Sequence, residues 1–410
     1  MPAVRPFRAL RPPAPLASRV AAPPYDVVNT AEARALADGN PDSFLHVSRP
    51  EIDLPVGIDE HADEVYEQGR TALADFIARG VLVPDPKAQY FVYRQVMGSI
   101  VQTGIVGLVD VDDYAASRIK KHEFTRPDKE DDRTRHIDVL NAHDEPVFLL
   151  HARNDAVATV VSAVVAEEPE VDFVAADGIG HTLWVVDDDD RIATLMSAFV
   201  AIPALYVADG HHRSAAAARL RDLRRERGDL TEGAEHFLAV VFAEDELNIM
   251  AYNRVVADLN GRTPEQFLTD LESVADYQAV DAAVVPVVGH AFGLYLAGAW
   301  YQARFRADLI DESDPKARLD VSVLQDRVLG PILGIADPRT DRRIAFIGGI
   351  RGTAELERLV DNGEAAVAFS MCPTSLRDLM ALADRDDVMP PKSTWFEPKL
   401  RSGLFLHVIE

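Results

Sequence analysis

Near mid-chain an Asp-Gly pair is followed by two histidines and an arginine, in Leu205-Tyr206-Val207-Ala208-Asp209-Gly210-His211-His212-Arg213-Ser214. A short apolar run leads in and an alanine-rich segment leads out, the order of a strand, a tight turn and a helix. The polar residues then fall at a helix N-terminus, where unpaired N–H groups and the helix dipole favour an anion. Gly210 lets the backbone approach a ligand closely, and Arg213 offers a fork suited to phosphate or carboxylate. Gly210, His211, His212, Arg213 and Ser214 are therefore expected to bind phosphate.

Three further groups could share the work. Lys121-His122-Glu123-Phe124-Thr125 opens a charged stretch running to Arg133 and His136. It reads either as a solvated helix face or as a loop followed by a helix from Asp128. In the second reading Glu123 or Asp209 is the base, with His122 beside it. Lys121, Thr125 and Arg133 then stand with it beside a bound phosphate, the usual equipment for proton transfer there. Near the N-terminus, Ala22-Pro23-Pro24-Tyr25-Asp26 is either a rigid tuck onto the core or a loop presenting Tyr25 and Asp26 to substrate. Near the C-terminus, Met389-Pro390-Pro391-Lys392-Ser393-Thr394 is either a surface connection or a stiff loop delivering Lys392, Ser393 and Thr394 to an anion.

Adjacent histidines diverge on a helix or strand, so His211 and His212 do not chelate zinc as an i,i+4 pair, and no HExxH occurs. There is no GxxxxGK[ST] loop, no GxGxxG after a strand and no GxSxG elbow. No protein-held metal is expected. Mg²⁺ is expected to arrive with a nucleoside triphosphate such as ATP, held by its phosphates and one or two carboxylates.

The elements positioning these residues alternate helices with hairpins, without a sustained βαβ rhythm, which predicts a mixed α+β fold. Hairpins are expected at Gln89–Val96 with Ile100–Val111, at 171–186 and at 292–305, and short strands at Phe44–Val47 and Gly403–Val408. Helices are expected over Glu60–Arg79, from Asp128, over Val157–Val165, from Ser214 to Gly228 and over Leu319–Leu329. The motifs divide the chain into segments 1–150, 151–260 and 261–410. At 410 residues, 48% hydrophobic and 27% charged, the composition is that of a globular protein. A net charge of −25 argues against a nucleic-acid partner. The single cysteine, Cys372, precludes an internal disulfide and suits the cytoplasm. No long apolar run suggests a membrane span.

Pro23-Pro24-Tyr25-Asp26-Val27, Asn40-Pro41 with Phe44-Leu45-His46-Val47, Lys121-His122-Glu123-Phe124-Thr125, Asp209-Gly210-His211-His212-Arg213 and Met389-Pro390-Pro391-Lys392-Ser393-Thr394 occur in this order in a bacterial and archaeal family, domain of unknown function ten-fifteen, which the chain resembles. One departure is Asn253-Arg254, where that family pattern has His-Arg; Arg254 is kept as a substrate-binding candidate. The Gly-His-His-Arg turn is also similar to the phosphate loop of the ParB and sulfiredoxin superfamily, which includes free-serine kinases. His211 stands where sulfiredoxin has its cysteine, so sulfiredoxin chemistry is not expected. The resemblance implies a ParB/sulfiredoxin-like core and phosphoryl transfer from a nucleotide to a small hydroxyl compound such as free L-serine. The alternatives are a non-catalytic nucleotide-binding regulator and a phosphatase-type hydrolase using the same anion site.

Overall fold

The computed structural model describes residues 1–410, which form a mixed α+β fold in two compact units. Unit 1 comprises Met1–Leu247 with Pro398–Glu410, and unit 2 comprises Asn248–Glu397. The sequence motifs had suggested three segments. The first two share one sheet, and strand pairing across position 150 joins them.

That sheet has nine strands: β1 (Val4–Arg5), β2 (Tyr90–Met97), β3 (Ile100–Asp110), β4 (Ile119–Lys120), β5 (Val147–His151), β6 (Val171–Val174), β7 (Gly180–Val186), β8 (Leu205–Asp209) and β9 (His236–Ala243). The order is β4-β8-β5-β9-β3-β2-β7-β6, with β1 beside β3. The β2–β3 hairpin turns over Gly98-Ser99, with Gly98 at φ 59. Pairing is antiparallel except for β8 with β4 and β9 with β5. The central strands are rich in Val, Ile and Phe because they are buried over most of their length.

Six longer helices belong to this unit: α1 (Thr30–Ala37), α2 (Asp63–Ala78), α3 (Pro127–Leu140), α4 (Asp155–Val164), α5 (Asp189–Val200) and α6 (His211–Arg227). Each has a local cause. Asn29 closes a capping box on α1, Pro127 opens α3 and Asn141 ends it in the left-handed region. Val157, Val160 and Val164 of α4 recur at helical spacing and, with Leu195 and Phe199 of α5, join the core with Ile105, Leu149, Val207 and Val241. Each such side chain contributes about 1.5–3 kcal/mol on burial. Ile137 of α3 packs with Ala216 and Leu220 of α6. Arg224 and Arg227 of α6 bind Asp138 of α3 across that contact, Arg221 binds Asp112 and Arg219 binds Asp131. The basic end of α6 is thus structural, and it suits a helix C-terminus.

Unit 2 holds a six-stranded sheet of β10 (Tyr252–Val256), β11 (Ala275–Val280), β12 (Ala291–Leu296), β13 (Ala299–Phe305), β14 (Ile344–Gly348) and β15 (Val367–Met371), in the order β11-β13-β12-β15-β10-β14. The β12–β13 hairpin turns on Ala297 and Gly298, both at positive φ. Helices α7 (Pro264–Leu271), α8 (Gly352–Asp361) and α9 (Leu376–Asp384) complete the unit. Leu356 and Leu359 of α8 pack against Val255, Tyr295 and Trp300.

Three local expectations are corrected. Phe44–Val47 is no strand: Leu45–Ser48 is a helical turn, since four residues are too few to show a period. The helix expected over Leu319–Leu329 is α-helical only over Asp320–Leu324 and continues as a π-turn over Gln325–Leu329, where Gly330 N–H reaches back to the Gln325 carbonyl at 2.9 Å. The final strand shrinks to His407–Val408, paired with Ala142–His143. No helix is long and apolar enough to cross a membrane.

Candidate functional site

Strand β8 ends beside a bulge. Val207 pairs with Leu149, but Asp209 pairs with Phe148, so two steps on β8 meet one on β5. Such a bulge bends the strand and re-aims its last side chain. Gly210 follows at φ 90, a conformation that glycine adopts without strain, and α6 begins with no side chain capping it. The first-turn N–H groups of α6 therefore meet a re-aimed carboxylate and a free helix end.

Two cations converge on that carboxylate. Lys399 Nζ and Arg213 Nη2 each stand 3.4 Å from Asp209 Oδ2. Burial pushes the Asp209 carboxyl up, but Lys399 and Arg213 outweigh it and hold its pKa at about 2. Asp209 is thus an anion at any working pH and a weak base. Burial alone lowers the pKa of Arg213, yet Asp209 and Glu145 hold it above its ordinary value. Arg213 Nη1 donates to the Pro146 carbonyl at 2.5 Å, which fixes the guanidinium in the interior.

Behind Arg213 lies a carboxyl that the sequence reading passed over. Glu145 Oε1 accepts from the Tyr25 N–H at 2.9 Å and from the Ser402 hydroxyl at 2.8 Å. Its Oε2 makes no hydrogen bond and faces Arg213 Nη1 at 4.0 Å. Burial, partly offset by Arg213, raises its pKa to about 7. Arg133, Asp144, Glu145 and Arg213 line a cavity of about 10 Å³, room for one water. Glu145 thereby ties the Pro-Pro-Tyr-Asp segment and the C-terminal segment to α6. A signal for it did exist: Asp144-Glu145-Pro146 places two acids directly before a fully buried strand.

Of the residues expected from sequence, several come together. Arg133 lies over the Tyr25 ring at 3.9 Å, and Tyr25 is buried, its phenol pKa raised by burial. Asp26 is exposed, but its charge acts on Arg213, Glu145 and His212. His122 meets His211 edge to face at 4.5 Å. Burial pulls His122 to about 4 and His211 well below the ordinary histidine value, so both rings are neutral. His122 Nδ1 and His211 Nε2 are buried without hydrogen-bond partners. His212 Nε2 accepts from the Arg126 N–H at 3.1 Å, and burial lowers its pKa.

Others are engaged elsewhere. Ser214 is buried and its hydroxyl donates to the Gly210 carbonyl at 3.2 Å, as helix serines do. Thr125 donates to Glu130 at 2.9 Å. Lys121 is exposed and lies over the Tyr114 ring at 4.2 Å, and Glu123 is exposed. Arg254, Lys392, Ser393 and Thr394 belong to unit 2, where Arg254 Nη2 donates to the Lys392 carbonyl at 2.9 Å. Lys399 went unrecognised because 190 residues separate it from Asp209.

A cradle of free N–H groups and two cations, with an ionised carboxylate and neutral histidines at its edge, is suited to holding an oxyanion. The family described as "Protein of unknown function (DUF1015)" matches residues 4–322. Among curated proteins, none matches the chain. Among solved structures, the chain is similar to a free serine kinase in complex with AMP, at 12% identity and a TM-score of 0.32, over 73% of this chain and 91% of that one. SbnI from Staphylococcus aureus, with a C-terminal truncation, is similar at 11% identity and a TM-score of 0.37, over 71% and 82%. A conserved hypothetical protein from Pyrococcus furiosus is similar at 12% and 0.34, over 73% and 94%. At likenesses of this size, function is argued from the chain's own residues.

Proposed function

The chain belongs to this family of unknown function, DUF1015, and on that footing we propose that it transfers a phosphoryl group from a nucleoside triphosphate to the hydroxyl of a small metabolite, such as the free amino acid L-serine. The observation that carries the reading is the uncapped start of α6 at Gly210, with Arg213 and Lys399 converging on Asp209. Phosphoryl transfer needs little covalent chemistry from a protein; it needs positioning and neutralisation of spreading charge.

In this reading the N–H groups of His211, His212 and Arg213 hold the phosphates, and Lys399 adds a mobile point charge. Arg213 is held too firmly by Pro146 and Glu145 to move with the ligand, so it acts as a fixed electrostatic wall. Asp209 orients the acceptor hydroxyl. A base near pKa 2 suffices where the hydroxyl proton leaves late. Asp209 is also the ionised carboxylate that fits a Mg²⁺ arriving with the nucleotide, whose role would be to neutralise phosphate charge. Neutral His122 and His211 place polar ring nitrogens beside the same end of α6 without adding charge. Glu145 positions the Tyr25–Asp26 segment and Arg213 and does not touch substrate.

The test is turnover of ATP and Mg²⁺ with a panel of hydroxyl amino acids, read as ADP and phosphorylated product. Asp209→Asn is expected to lower kcat at least a hundredfold while nucleotide binding persists. ATP binding without turnover of any hydroxyl compound would leave a nucleotide-binding regulator and end the kinase reading. Phosphoserine hydrolysis without nucleotide would replace it with a hydrolase. Lys399→Ala removes one charge-assisted contact from a partly exposed position. It is expected to weaken nucleotide binding about tenfold, in line with about 1.5 kcal/mol for such a bond, with a modest drop in melting temperature because Asp209 keeps only Arg213. Unchanged affinity would remove Lys399 from the site.

A further inference from the structure

Unit 2 buries an arginine with no acidic counterpart. Arg254 of β10 is only 3% exposed. Its Nη1 donates to the Tyr252 carbonyl and its Nη2 to the Lys392 carbonyl at 2.9 Å, and the guanidinium stands 5.4 Å from the Phe346 ring. Burial pulls its pKa down to about 9, and Tyr252 is the one ionisable group acting against that pull. Carbonyl dipoles and a ring face compensate a buried guanidinium only in part; a carboxylate or phosphate is its ordinary partner.

An independent feature lies on the loop that receives this arginine. Pro391 and Lys392 are the central residues of a turn, and Lys392 sits at φ 56, where glycine or asparagine is the usual occupant. The turn is held in place: the Ser393 hydroxyl donates to the Pro390 carbonyl at 2.6 Å, and the Thr374 hydroxyl to the Ser393 carbonyl at 2.9 Å. A lysine kept in a glycine conformation costs backbone energy that its side chain must repay, and strain of this kind gathers at ligand sites. The Lys392 ammonium stands 5.5 Å from the ring of Tyr252, whose carbonyl holds Arg254. The turn therefore carries an exposed cation on the residue whose carbonyl holds the buried one.

We propose that Arg254 and the Pro390–Ser393 turn form an oxyanion site built from unit 2 alone, which takes a phosphate or carboxylate group. Arg254 has five N–H donors, and its two bonds to carbonyls leave donors for a planar or tetrahedral oxyanion. Lys392 is exposed and would meet the oxyanion from solvent, while Arg254 is buried. The site goes beyond the phosphoryl-transfer reading and does not depend on it.

The full-length chain would be titrated with inorganic phosphate and, separately, acetate, and the dissociation constant read from the ligand dependence of the melting temperature. Lys392→Gly is the informative variant, because glycine relaxes the turn. It is expected to melt no lower than the parent, yet to bind the preferred oxyanion at least tenfold more weakly. A Lys399→Ala chain is expected to retain this binding, and adding Lys392→Gly to it to abolish it. Unaltered binding in Lys392→Gly, or loss of all binding in Lys399→Ala alone, would overturn the site. Binding lost in Lys392→Gly but untouched by Lys399→Ala would uphold it while counting against the start of α6. The stronger of the phosphate and acetate arms identifies the group.

Discussion

Between pH 8 and pH 5, unit 1 is expected to lose roughly half or more of its folding free energy. Four buried histidines carry this. Burial holds His143 and His181 at about 3 and His122 and His407 at about 4. An unfolded histidine takes up its proton near 6.5. The folded pKa is the lower one, so the stabilisation is complete above 6.5 and is lost as the pH falls toward the folded values. By pH 5 each contributes about 2 kcal/mol less, or roughly 8 kcal/mol for the four. Glu145, His46 beside Asp53 and His236 beside Asp110 work in the opposite sense, since their raised folded pKa values favour the native state as pH falls, and Glu145 alone offsets about one histidine. The remainder is large against the 5–15 kcal/mol typical of a domain.

The geometry explains why these rings resist protonation. His143 and His407 stack face to face at 5.8 Å, so charging both would set two cations together. His181 Nε2 accepts from Arg401 Nε at 3.2 Å, a bond that a protonated ring cannot make. Urea midpoints at pH 8, 6.5 and 5 test this, and His181→Gln is expected to shallow the slope. A midpoint that stays level down to pH 5 would show that these rings are not held neutral by the fold.

Arg213→Ala is expected to cost about 3–5 kcal/mol of stability as well as nucleotide binding. Read from the sequence, this arginine is a phosphate ligand at a helix start. In the structure it is buried, bonded to the Pro146 carbonyl and set between Asp209 and Glu145. Removing one partner of a buried charged group leaves the others unpaired, which is the costly case. Above the raised Glu145 pKa, where the carboxyl would otherwise carry an unpaired charge, Glu145→Gln should recover part of the loss in the Arg213→Ala background. By itself Glu145→Gln keeps the bonds to Tyr25 and Ser402 within reach of its amide oxygen. A double-mutant cycle on unfolding free energy measures the coupling. A coupling near zero would mean that the 4.0 Å approach of Glu145 to Arg213 has no energetic content.

Much of the fold was determined by local sequence. The β2–β3 hairpin, the Ala297-Gly298 turn and the strand-turn-helix at Gly210 all follow from short-range patterns. Turn chemistry and side-chain periodicity act over a few residues and are therefore legible in the chain. The mixed α+β class follows from the same signals, and so does the position of the proposed anion site at the Gly210 helix start.

The composition of the site was decided by tertiary structure. Lys399 reaches Asp209 because the C-terminal segment returns to unit 1, and no local pattern encodes that return. Glu145 became significant because burial raises its carboxyl and Arg213 stands opposite. Asp209 lost its standing as a strong base because two cations settle on it. Lys392, read from sequence as an anion-binding residue, and Arg254, read as a substrate-binding candidate, are joined to each other within unit 2. Residue type and spacing determine which groups can do chemistry; burial and long-range neighbours, set only by folding, determine which charges those groups carry and which of them meet.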